Sequence, residues 1–400
     1  MLNSMVKDSY RLSAILFALC GSGSLAADAA TVAVIPGPLE MKVGEGVFTL
    51  NKGTTVVAPA TLVSEVDCLS RMLSPATSCR RAGQRQGDGG IVLSLDPQLG
   101  DLGAEGYRLR ATSQEIVIQA AQPAGIFYGI QTLRQLLPVE IDAQRSARGM
   151  TWTVPCVEIR DWPRFPWRGC LLDSCRHFLS VAKVKEVIDL MARYKLNRLH
   201  WHLTEDEAWR VEVVYPGVAM PGHATAAILA YPQYRCDGQP VVPGAPGEGG
   251  FRSFTANGRR AFCPSRPETY AFLEDVALKV SAMFDTPYVH IGGDEVPQNA
   301  WTNCSHCQAL IRSEQLKDLV GLQQYFERKM AAFLSAQGKQ AIYWGVDLER
   351  GIPPGMVVQG WHPGESLTAI RMGFRSINSD CRGTYLDFPA GPGDLGEGVS

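Results

Sequence analysis

The sequence predicts an α/β protein in which a small α+β domain precedes an incomplete barrel of the (β/α)8 type, the TIM barrel. The chain has 400 residues, of which 46% are hydrophobic, so it is long enough to form more than one core. Short runs with alternating apolar residues dominate the first part of the chain. After residue 155, apolar strand-like runs alternate with helical stretches, an order typical of a parallel sheet or barrel.

The N-terminal α+β domain is predicted over residues 32–154. Apolar and alternating residues predict strands at 47–50, 54–57, 91–95, 107–111 and 115–120. A helix is predicted over 124–137, because Ile126, Ile130 and Leu133 recur at helical spacing. Pro138 ends this helix.

The barrel is predicted over residues 155–389, and the Gly-rich residues 390–400 are predicted to form a flexible tail. Strands are expected at 169–173, 198–203, 288–291, 341–344, 356–358 and 375–377. Helices are expected over 180–194 and 322–336, with a further helix beginning after Ser265. Ser265 is expected to cap that helix, with Pro267 just inside its first turn.

Residues 1–26 are predicted to form an export signal. Lys7 and Arg11 precede an apolar run from Leu12 to Cys20, and the small residues that end at Ala26 suit cleavage. A buried N-terminal helix is the alternative. The signal predicts a secreted protein with a periplasmic or extracellular location.

The charge balance and the hydropathy of the chain argue against a nucleic-acid partner and against a membrane-spanning segment. Lys and Arg number 38 against 40 Asp and Glu, which gives a formal net charge of −2. This balance and the absence of a basic run give no reason to expect nucleic acid. No apolar run is long enough for an integral membrane segment. The oligomeric state is left open.

Polar and aromatic side chains cluster at the ends of the predicted barrel strands, the rim that builds the active site in (β/α) barrels. They are Asp173, His202, Asp294, Glu295, Trp344 and Trp361. The motif His290-Ile-Gly-Gly-Asp294-Glu295 places two carboxylates next to each other, and they can take different roles. A carboxyl group in an apolar pocket has a raised pKa and can donate a proton, while a better solvated neighbour stays ionised. The glycines permit a sharp turn. An ordinary carboxylate pair at the start of a helix is the alternative interpretation.

Five motifs resemble those of the family-20 glycoside hydrolases, the β-N-acetylhexosaminidases. They are Asp161-Trp-Pro-Arg-Phe-Pro-Trp-Arg-Gly, Asp173-Ser-Cys-Arg-His-Phe, His200-Trp-His-Leu-Thr-Glu-Asp, Met220-Pro-Gly-His223 and His290-Ile-Gly-Gly-Asp-Glu. The resemblance implies exo-hydrolysis of terminal β-linked N-acetylglucosamine or N-acetylgalactosamine from oligosaccharides or glycoconjugates, chitin among them. The implied reaction is retaining and substrate-assisted, with no enzyme carboxylate attacking the sugar. The resemblance implies no cofactor and no metal.

The resemblance also implies individual roles. Glu295 would act as general acid and then base, while Asp294 would orient the acetamido N–H and stabilise its developing positive charge. Arg176 would bind sugar hydroxyls. Glu205 and His223 would form a polar chain behind Glu295. The remaining substrate-binding residues implied by the resemblance are Trp344, Trp361, Tyr385 and Asp387.

The chain departs from the family pattern in two places. Tyr215-Pro216 runs almost directly into Met220-Pro-Gly-His223, where relatives carry a loop, a helix and the third barrel strand. The chain also ends soon after Tyr385, before the last strand of the relatives. Because strand number, tilt and shear are linked, such a barrel is expected to be strained or open. The alternative function is therefore that of a non-catalytic or inactive sugar-binding relative.

Eleven cysteines occur in the chain. Cys304-Ser-His-Cys307 has the spacing of half a zinc site. No second Cys-x-x-Cys is found, so no metal is expected, and a local disulfide or reduced thiols are the alternatives. Cys236 and Cys263 flank a Gly/Pro-rich loop that they could staple.

Overall fold

A computed structural model describes residues 32–74, 80–82, 90–142, 150–205, 210–211, 213–215, 218–220, 234, 236, 261–296, 298–345, 348, 351 and 354–386. The chain divides into two compact units. The first contains Met1–Arg164 and Ala192–Lys195, and the second contains Phe165–Met191 and Leu196–Ser400. The predicted signal at 1–26 and the predicted tail at 390–400 lie outside the described residues. Within those residues, no helix is both long and apolar enough to cross a bilayer.

Seven strands of the first unit form one mixed sheet. In chain order they are β1 (Glu40–Leu50), β2 (Thr55–Val57), β3 (Arg80–Ala82), β4 (Gly90–Leu95), β5 (Tyr107–Ala111), β6 (Glu115–Ala120) and β7 (Trp152–Asp161). Across the sheet the order is β1-β7-β5-β6-β4-β2-β3. The pairs from β1 to β6 are antiparallel, and those from β6 to β3 are parallel. The five predicted strands are all present.

Strand β7 crosses the predicted domain boundary at residue 154. It pairs with β1 from Glu40↔Arg160 to Leu50↔Trp152, and with β5 from Tyr107↔Asp161 to Ala111↔Val157. Both edges of the strand are therefore hydrogen-bonded within the first unit. For this reason the first unit extends to Arg164, beyond the domain boundary predicted at residue 154.

Helices α1 (Val63–Leu73) and α2 (Pro123–Leu136) pack in the same unit. As predicted, α2 buries Ile126, Ile130 and Leu133 in one core with alternating residues of the sheet. The packing is close, since a Cβ added at Gly129 would lie 2.5 Å from Cγ2 of Ile118. Glycine at this position lets the helix backbone approach β6.

The second unit begins with a parallel β/α/β pattern. Strand β8 (Gly169–Asp173) and strand β9 (Arg198–His202) pair in parallel, with helix α3 (Val181–Arg193) between them in the chain. Strands β10 (Val213–Tyr215) and β11 (Val218–Met220) then form an antiparallel pair, at the place where the sequence predicted a missing segment.

A second parallel sheet follows in the same unit. Strands β12 (Tyr288–His290), β13 (Gln340–Trp344), β14 (Val357–Gly360) and β15 (Ser376–Asn378) pair in chain order. The helices of this part are α4 (Pro267–Met283), α5 (Asn299–Thr302), α6 (Ser305–Ser313), α7 (Leu319–Ala336), α8 (Glu365–Arg371) and α9 (Cys381–Thr384). The predicted alternation of strands and helices is confirmed, whereas closure or incompleteness of a barrel stays a prediction.

The predicted cap of α4 is wrong. Its N-cap residue is Arg266, with no side-chain cap hydrogen bond, and Pro267 is its first residue. The Ser265 hydroxyl oxygen instead lies 3.1 Å from the sulfur of Cys263. Ser265 therefore belongs to a cysteine cluster rather than to the helix terminus.

Candidate active site

Strands β9, β12 and β13 line a cavity of about 670 Å³ in the second unit, which extends from the segment before β12 to the loop after it. That volume is in the range of small-molecule binding sites. The lining combines charged groups with flat rings, among them Trp167, Arg176, His200, His202, Glu205, Asp294, Glu295 and Trp344. The structure therefore brings five of the predicted site residues, Arg176, Glu205, Asp294, Glu295 and Trp344, into one cavity.

The loop after β12 has a left-handed backbone. Positive φ angles occur at Gly292 (74°), Gly293 (104°) and Glu295 (45°), and the first two suit glycine because it has no Cβ. The Gly292 carbonyl accepts a hydrogen bond from the backbone N–H of Trp344 at 2.9 Å. A Cβ on Gly293 would lie 3.0 Å from Oε1 of Glu327. The predicted sharp turn is confirmed, and it brings the two carboxylates to the cavity.

Asp294 and Glu295 lie in different environments. Asp294 is partly buried, whereas Glu295 is exposed. Burial raises the pKa of the Asp294 carboxyl, and the negative charges of Glu205 and Glu295 raise it further. The apolar surroundings expected for the proton donor are thus not found at Glu295 in the structure. The residue's positive φ and exposure place it at the open side of the site.

Arg176 is held at the cavity by two carboxylates. Its Nη1 lies 2.7 Å from Oδ2 of Asp173, and its Nη2 lies 3.0 Å from Oε2 of Glu205. The Nε2 of His202 is 3.1 Å from the same Glu205 oxygen. These contacts fix the plane of the guanidinium, which a planar fork needs to bind adjacent hydroxyls.

Glu205 contacts Arg176 and His202 in the structure. The predicted polar chain of Glu205 and His223 behind Glu295 stays a prediction, because His223 lies outside the described residues. Burial lowers the pKa of His202, but the Glu205 hydrogen bond and the Asp173 charge outweigh it, so the pKa is raised. The shift favours the imidazolium form beside these two carboxylates.

Three neighbouring rings, those of His200, His290 and Trp344, form one wall of the cavity. The centroids of His200 and His290 are 4.6 Å apart with 25° between the planes, and Trp344 lies 5.0 Å from His290. Burial and, to a smaller extent, the charge of His202 lower the pKa of His200 to about 4. Burial also lowers the pKa of His290, whose Nδ1 accepts the Gly292 N–H at 3.0 Å. Both imidazoles are therefore neutral near pH 7, and the wall is largely apolar.

The other predicted residues lie elsewhere. Trp361 follows β14, donates its backbone N–H to Glu365 at 2.9 Å and stacks its ring 3.7 Å from that of His362. Tyr385 follows α9. Neither is among the described residues that line the cavity, and Asp387 lies outside the described part of the chain. Their binding roles stay predictions.

Two polar residues of α7 support the loop and were missed by sequence reasoning. Gln323 donates Nε2–H bonds to the Gly293 carbonyl and to Oε1 of Glu327, both at 2.9 Å. Gln323 and Glu327 are 6% and 5% exposed. The sequence could have indicated them, because Gln323 and Glu327 are four residues apart and so lie on the same helix face. That face also buries Leu322 and Met330.

Family comparison gives the same division of the chain as the structure. The family model for the glycosyl hydrolase family 20 catalytic domain matches residues 165–216 and 213–398. The model for domain 2 of the same family matches residues 31–162. The chain belongs to glycosyl hydrolase family 20. Within this family-20 chain, the two catalytic-domain segments meet at residues 213–216.

Curated relatives of the family-20 chain have related names. The chain is 32% identical to a beta-hexosaminidase of Porphyromonas gingivalis over 88% of the chain's own length. The match spans about half, 51%, of that relative. It is 29% identical to a beta-hexosaminidase of Vibrio furnissii, with 90% of this chain and 65% of the relative covered.

Solved structures extend the comparison to the fold. A beta-N-acetylhexosaminidase of Bacteroides fragilis matches with a TM-score of 0.72 and 30% identity, covering 90% of this chain and 77% of the other. A Vibrio harveyi GH20 exo beta-N-acetylglucosaminidase in complex with N-acetylglucosamine matches with a TM-score of 0.71 and 26% identity, covering 86% and 60%. Such neighbours imply a TIM-barrel catalytic domain with a preceding N-terminal domain.

Proposed function

We propose that this family-20 chain is an exo-β-N-acetylhexosaminidase that removes terminal non-reducing β-linked N-acetylglucosamine or N-acetylgalactosamine. One observation carries the proposal. Asp294 and Glu295 follow β12 on a left-handed turn and share a cavity with Arg176 and a wall that includes Trp344. The names of the relatives, and the N-acetylglucosamine bound in the Vibrio harveyi neighbour, support it.

In the proposed first step, the acetamido oxygen of the substrate attacks its own anomeric carbon. A bond forms between that oxygen and the carbon, the glycosidic C–O bond breaks, and Glu295 gives its proton to the leaving oxygen. The exposed side chain of Glu295 suits this role, because the leaving group departs toward solvent. No covalent bond to the enzyme forms.

Asp294 has the complementary role in this step. Its carboxylate accepts the acetamido N–H and offsets the positive charge that develops on the cyclised amide. Burial and the charges of Glu205 and Glu295 make its anion less favourable in the empty site. A positive charge beside Asp294 makes its ionised form more favourable. Asp294 therefore stabilises the substrate most strongly as the positive charge develops on the amide.

In the second step, Glu295 takes a proton from a water molecule that attacks the same anomeric carbon. The ring of the intermediate opens, the acetamido group is restored, and two displacements leave the configuration retained. The neutral rings of His200, His290 and Trp344 offer an apolar surface to the acetamido group and the sugar. Arg176, oriented by Asp173 and Glu205, donates to sugar hydroxyls.

The test is hydrolysis of a chromogenic β-N-acetylglucosaminide by the full chain. Glu295→Gln is expected to reduce kcat by at least about 100-fold, the usual range for removal of a general acid. The matched control is Glu314→Gln, since Glu314 is exposed on the surface of the same unit. Equal turnover by the wild type and the Glu295→Gln variant would contradict the proposal.

Substrate assistance is tested separately with a thiazoline analogue of the cyclised intermediate. It is expected to inhibit at least about 100 times more strongly than free N-acetylglucosamine, as ligands resembling a transition state do. Inhibition no stronger than that of the free sugar would argue for another hydrolytic mechanism at the same carboxylates.

A shortened barrel and an extracellular or periplasmic location remain part of the proposal. The family match in two segments that meet at residues 213–216 supports a missing segment at that point. The alternative of a non-catalytic sugar-binding relative predicts N-acetylglucosamine binding by calorimetry with no turnover. That result would favour it over the hydrolase.

A further inference from the structure

Four buried cysteines of the second unit meet at one point and are not among the residues that line the cavity. Cys236, Cys263, Cys304 and Cys307 are between 0% and 4% exposed. Their sulfur atoms all lie within 4.8 Å of one another. The Cys304–Cys307 pair lacks a second Cys-x-x-Cys in the sequence, but the fold supplies two further thiols from separate positions.

The distances between the sulfurs fit a tetrahedral ion better than disulfides. The separations are 3.5 Å for Cys236–Cys307, 3.6 Å for Cys263–Cys307 and 4.0 Å for Cys263–Cys304. Four thiolates at a Zn–S distance of about 2.3 Å on a tetrahedron are about 3.8 Å apart. A disulfide requires about 2.0 Å. These three separations are therefore close to the tetrahedral value, and the other three are within 4.8 Å.

Protein hydrogen bonds bring the cysteine-bearing segments together independently of any ion. The Cys263 N–H donates to the Tyr234 carbonyl at 2.8 Å, which brings the segment of Cys236 beside Cys263. The indole N–H of Trp301 donates to the Phe262 carbonyl at 3.0 Å. The Cys304 N–H donates to the Trp301 carbonyl at 3.2 Å in a local turn. Two of these hydrogen bonds therefore join separate chain segments, and the third positions Cys304 at the start of α6.

The surroundings favour thiolates. Cys304 is the N-cap residue of α6, and Cys307 lies in its first turn, where the helix dipole stabilises negative charge. The Ser265 hydroxyl lies 3.1 Å from the Cys263 sulfur and 3.8 Å from that of Cys307, as a hydrogen-bond donor to metal thiolates would.

We propose that Cys236, Cys263, Cys304 and Cys307 bind one structural zinc ion. Zinc is the ion expected for four thiolates in a closed tetrahedral site. Binding converts four thiols to thiolates and releases four protons, with no change of oxidation state. Four such thiolates in one buried cluster would repel strongly without a cation. The proposal does not depend on the proposed hydrolase function.

The zinc site would stabilise the segment that follows the catalytic pair. Val296 and Trp301 pack with the four cysteines and Leu322 in one apolar cluster, and both also line the cavity. The ion would therefore link Cys236, the turn at Cys263 and the start of α6 to the cavity wall next to Glu295. Its role is structural, since all four ligand positions are protein thiols.

The first experiment measures zinc in the purified full chain by elemental mass spectrometry. About one zinc per chain is expected, falling to near zero in Cys307→Ser. Cys170→Ser and Cys381→Ser are the controls, because neither residue belongs to the cluster, and both should retain the zinc. Absence of zinc from the folded wild type, even after reduction and zinc addition, would overturn the proposal.

A second measurement needs no variant and so does not depend on the folding of one. Replacement of the ion by Co²⁺ in the wild type should give the visible d–d bands of tetrahedral cobalt with sulfur-to-metal charge-transfer absorption. Intact mass under denaturing conditions should show all four cysteines reduced. A mass lower by two hydrogens per disulfide, with these cysteines cross-linked in peptide mapping, would instead show disulfides and overturn the zinc assignment.

Discussion

Adjacent residues of the same charge can have different chemistry when the backbone separates their side chains. Asp294 is partly buried and Glu295 is exposed, with the φ of 45° at Glu295 lying in the left-handed region. The Asp294 anion is opposed by burial and by two neighbouring carboxylates. The two side chains therefore suit the two proposed roles. Asp294 would become a more favourable anion beside a bound cation, and Glu295 would donate a proton at the open side of the site.

The pH dependence of activity should report Asp294. In the proposed mechanism Asp294 is ionised to offset the cation, so kcat/KM should fall as pH drops through its raised pKa. In Glu205→Gln, one of the charges that raise the Asp294 pKa is removed, so the acid limb should move to lower pH.

Hydrolysis rates measured across pH test this, with the exposed Glu186→Gln as control. Arg176 keeps its contact with Asp173 in the Glu205 variant, so substrate binding should be retained in part. An acid limb that stays in place or moves to higher pH would contradict the role given to Asp294.

At the scale of elements, helix α7 supports the loop that carries Asp294 and Glu295. Its buried face includes Leu322, Met330 and Leu334 along with Gln323 and Glu327. Gln323 supplies the hydrogen bond that the Gly293 carbonyl needs. A buried polar group that loses its partner destabilises the protein more than an exposed one does.

Gln323→Leu is expected to lower the free energy of unfolding by about 1–3 kcal/mol, because the Gly293 carbonyl and Glu327 lose their donor. It should also reduce kcat, since the loop before Asp294 is released. Gln324→Leu is the matched control, because the side-chain amide of Gln324 donates to the Gly351 carbonyl at 2.7 Å in an exposed contact. Urea unfolding of both variants is the measurement, and equal stability would contradict the support assigned to Gln323.

At the scale of the whole molecule, each unit has its own core. The large apolar cluster of the first unit extends from Val34 to Ile159, and the second unit has separate clusters around Leu334 and Phe272. The first unit also contains a buried ion pair. Lys195 donates to Asp161 Oδ2 at 2.9 Å and to the Tyr107 hydroxyl at 2.8 Å, and is 6% exposed.

Lys195→Met should destabilise the first unit by about 3–5 kcal/mol, because the Asp161 carboxylate is left buried without its cation. Hydrogen exchange followed by mass spectrometry should show lost protection in β5 to β7. Lys52→Met is the control, since Lys52 is exposed in the same unit. Unchanged protection of β5 and β7 in the Lys195 variant would show that the pair contributes little.

Local patterns in the sequence determined most of the fold. Apolar runs and residue spacing predicted five strands and α2 of the first unit, and they predicted β8, β9 and β12 to β15 of the second. The motif His290-Ile-Gly-Gly-Asp-Glu predicted the turn and the two carboxylates. These predictions succeed because side-chain alternation, helical spacing and glycine φ angles are properties of consecutive residues.

Only the tertiary structure decided which distant residues become partners. It paired Glu205 with Arg176 and His202, joined β7 to the first sheet, and gathered Cys236 and Cys263 beside Cys304 and Cys307. It also left Glu295 exposed while Asp294 is partly buried. Such outcomes depend on burial and on distances through space between segments far apart in the chain, which residue spacing does not encode.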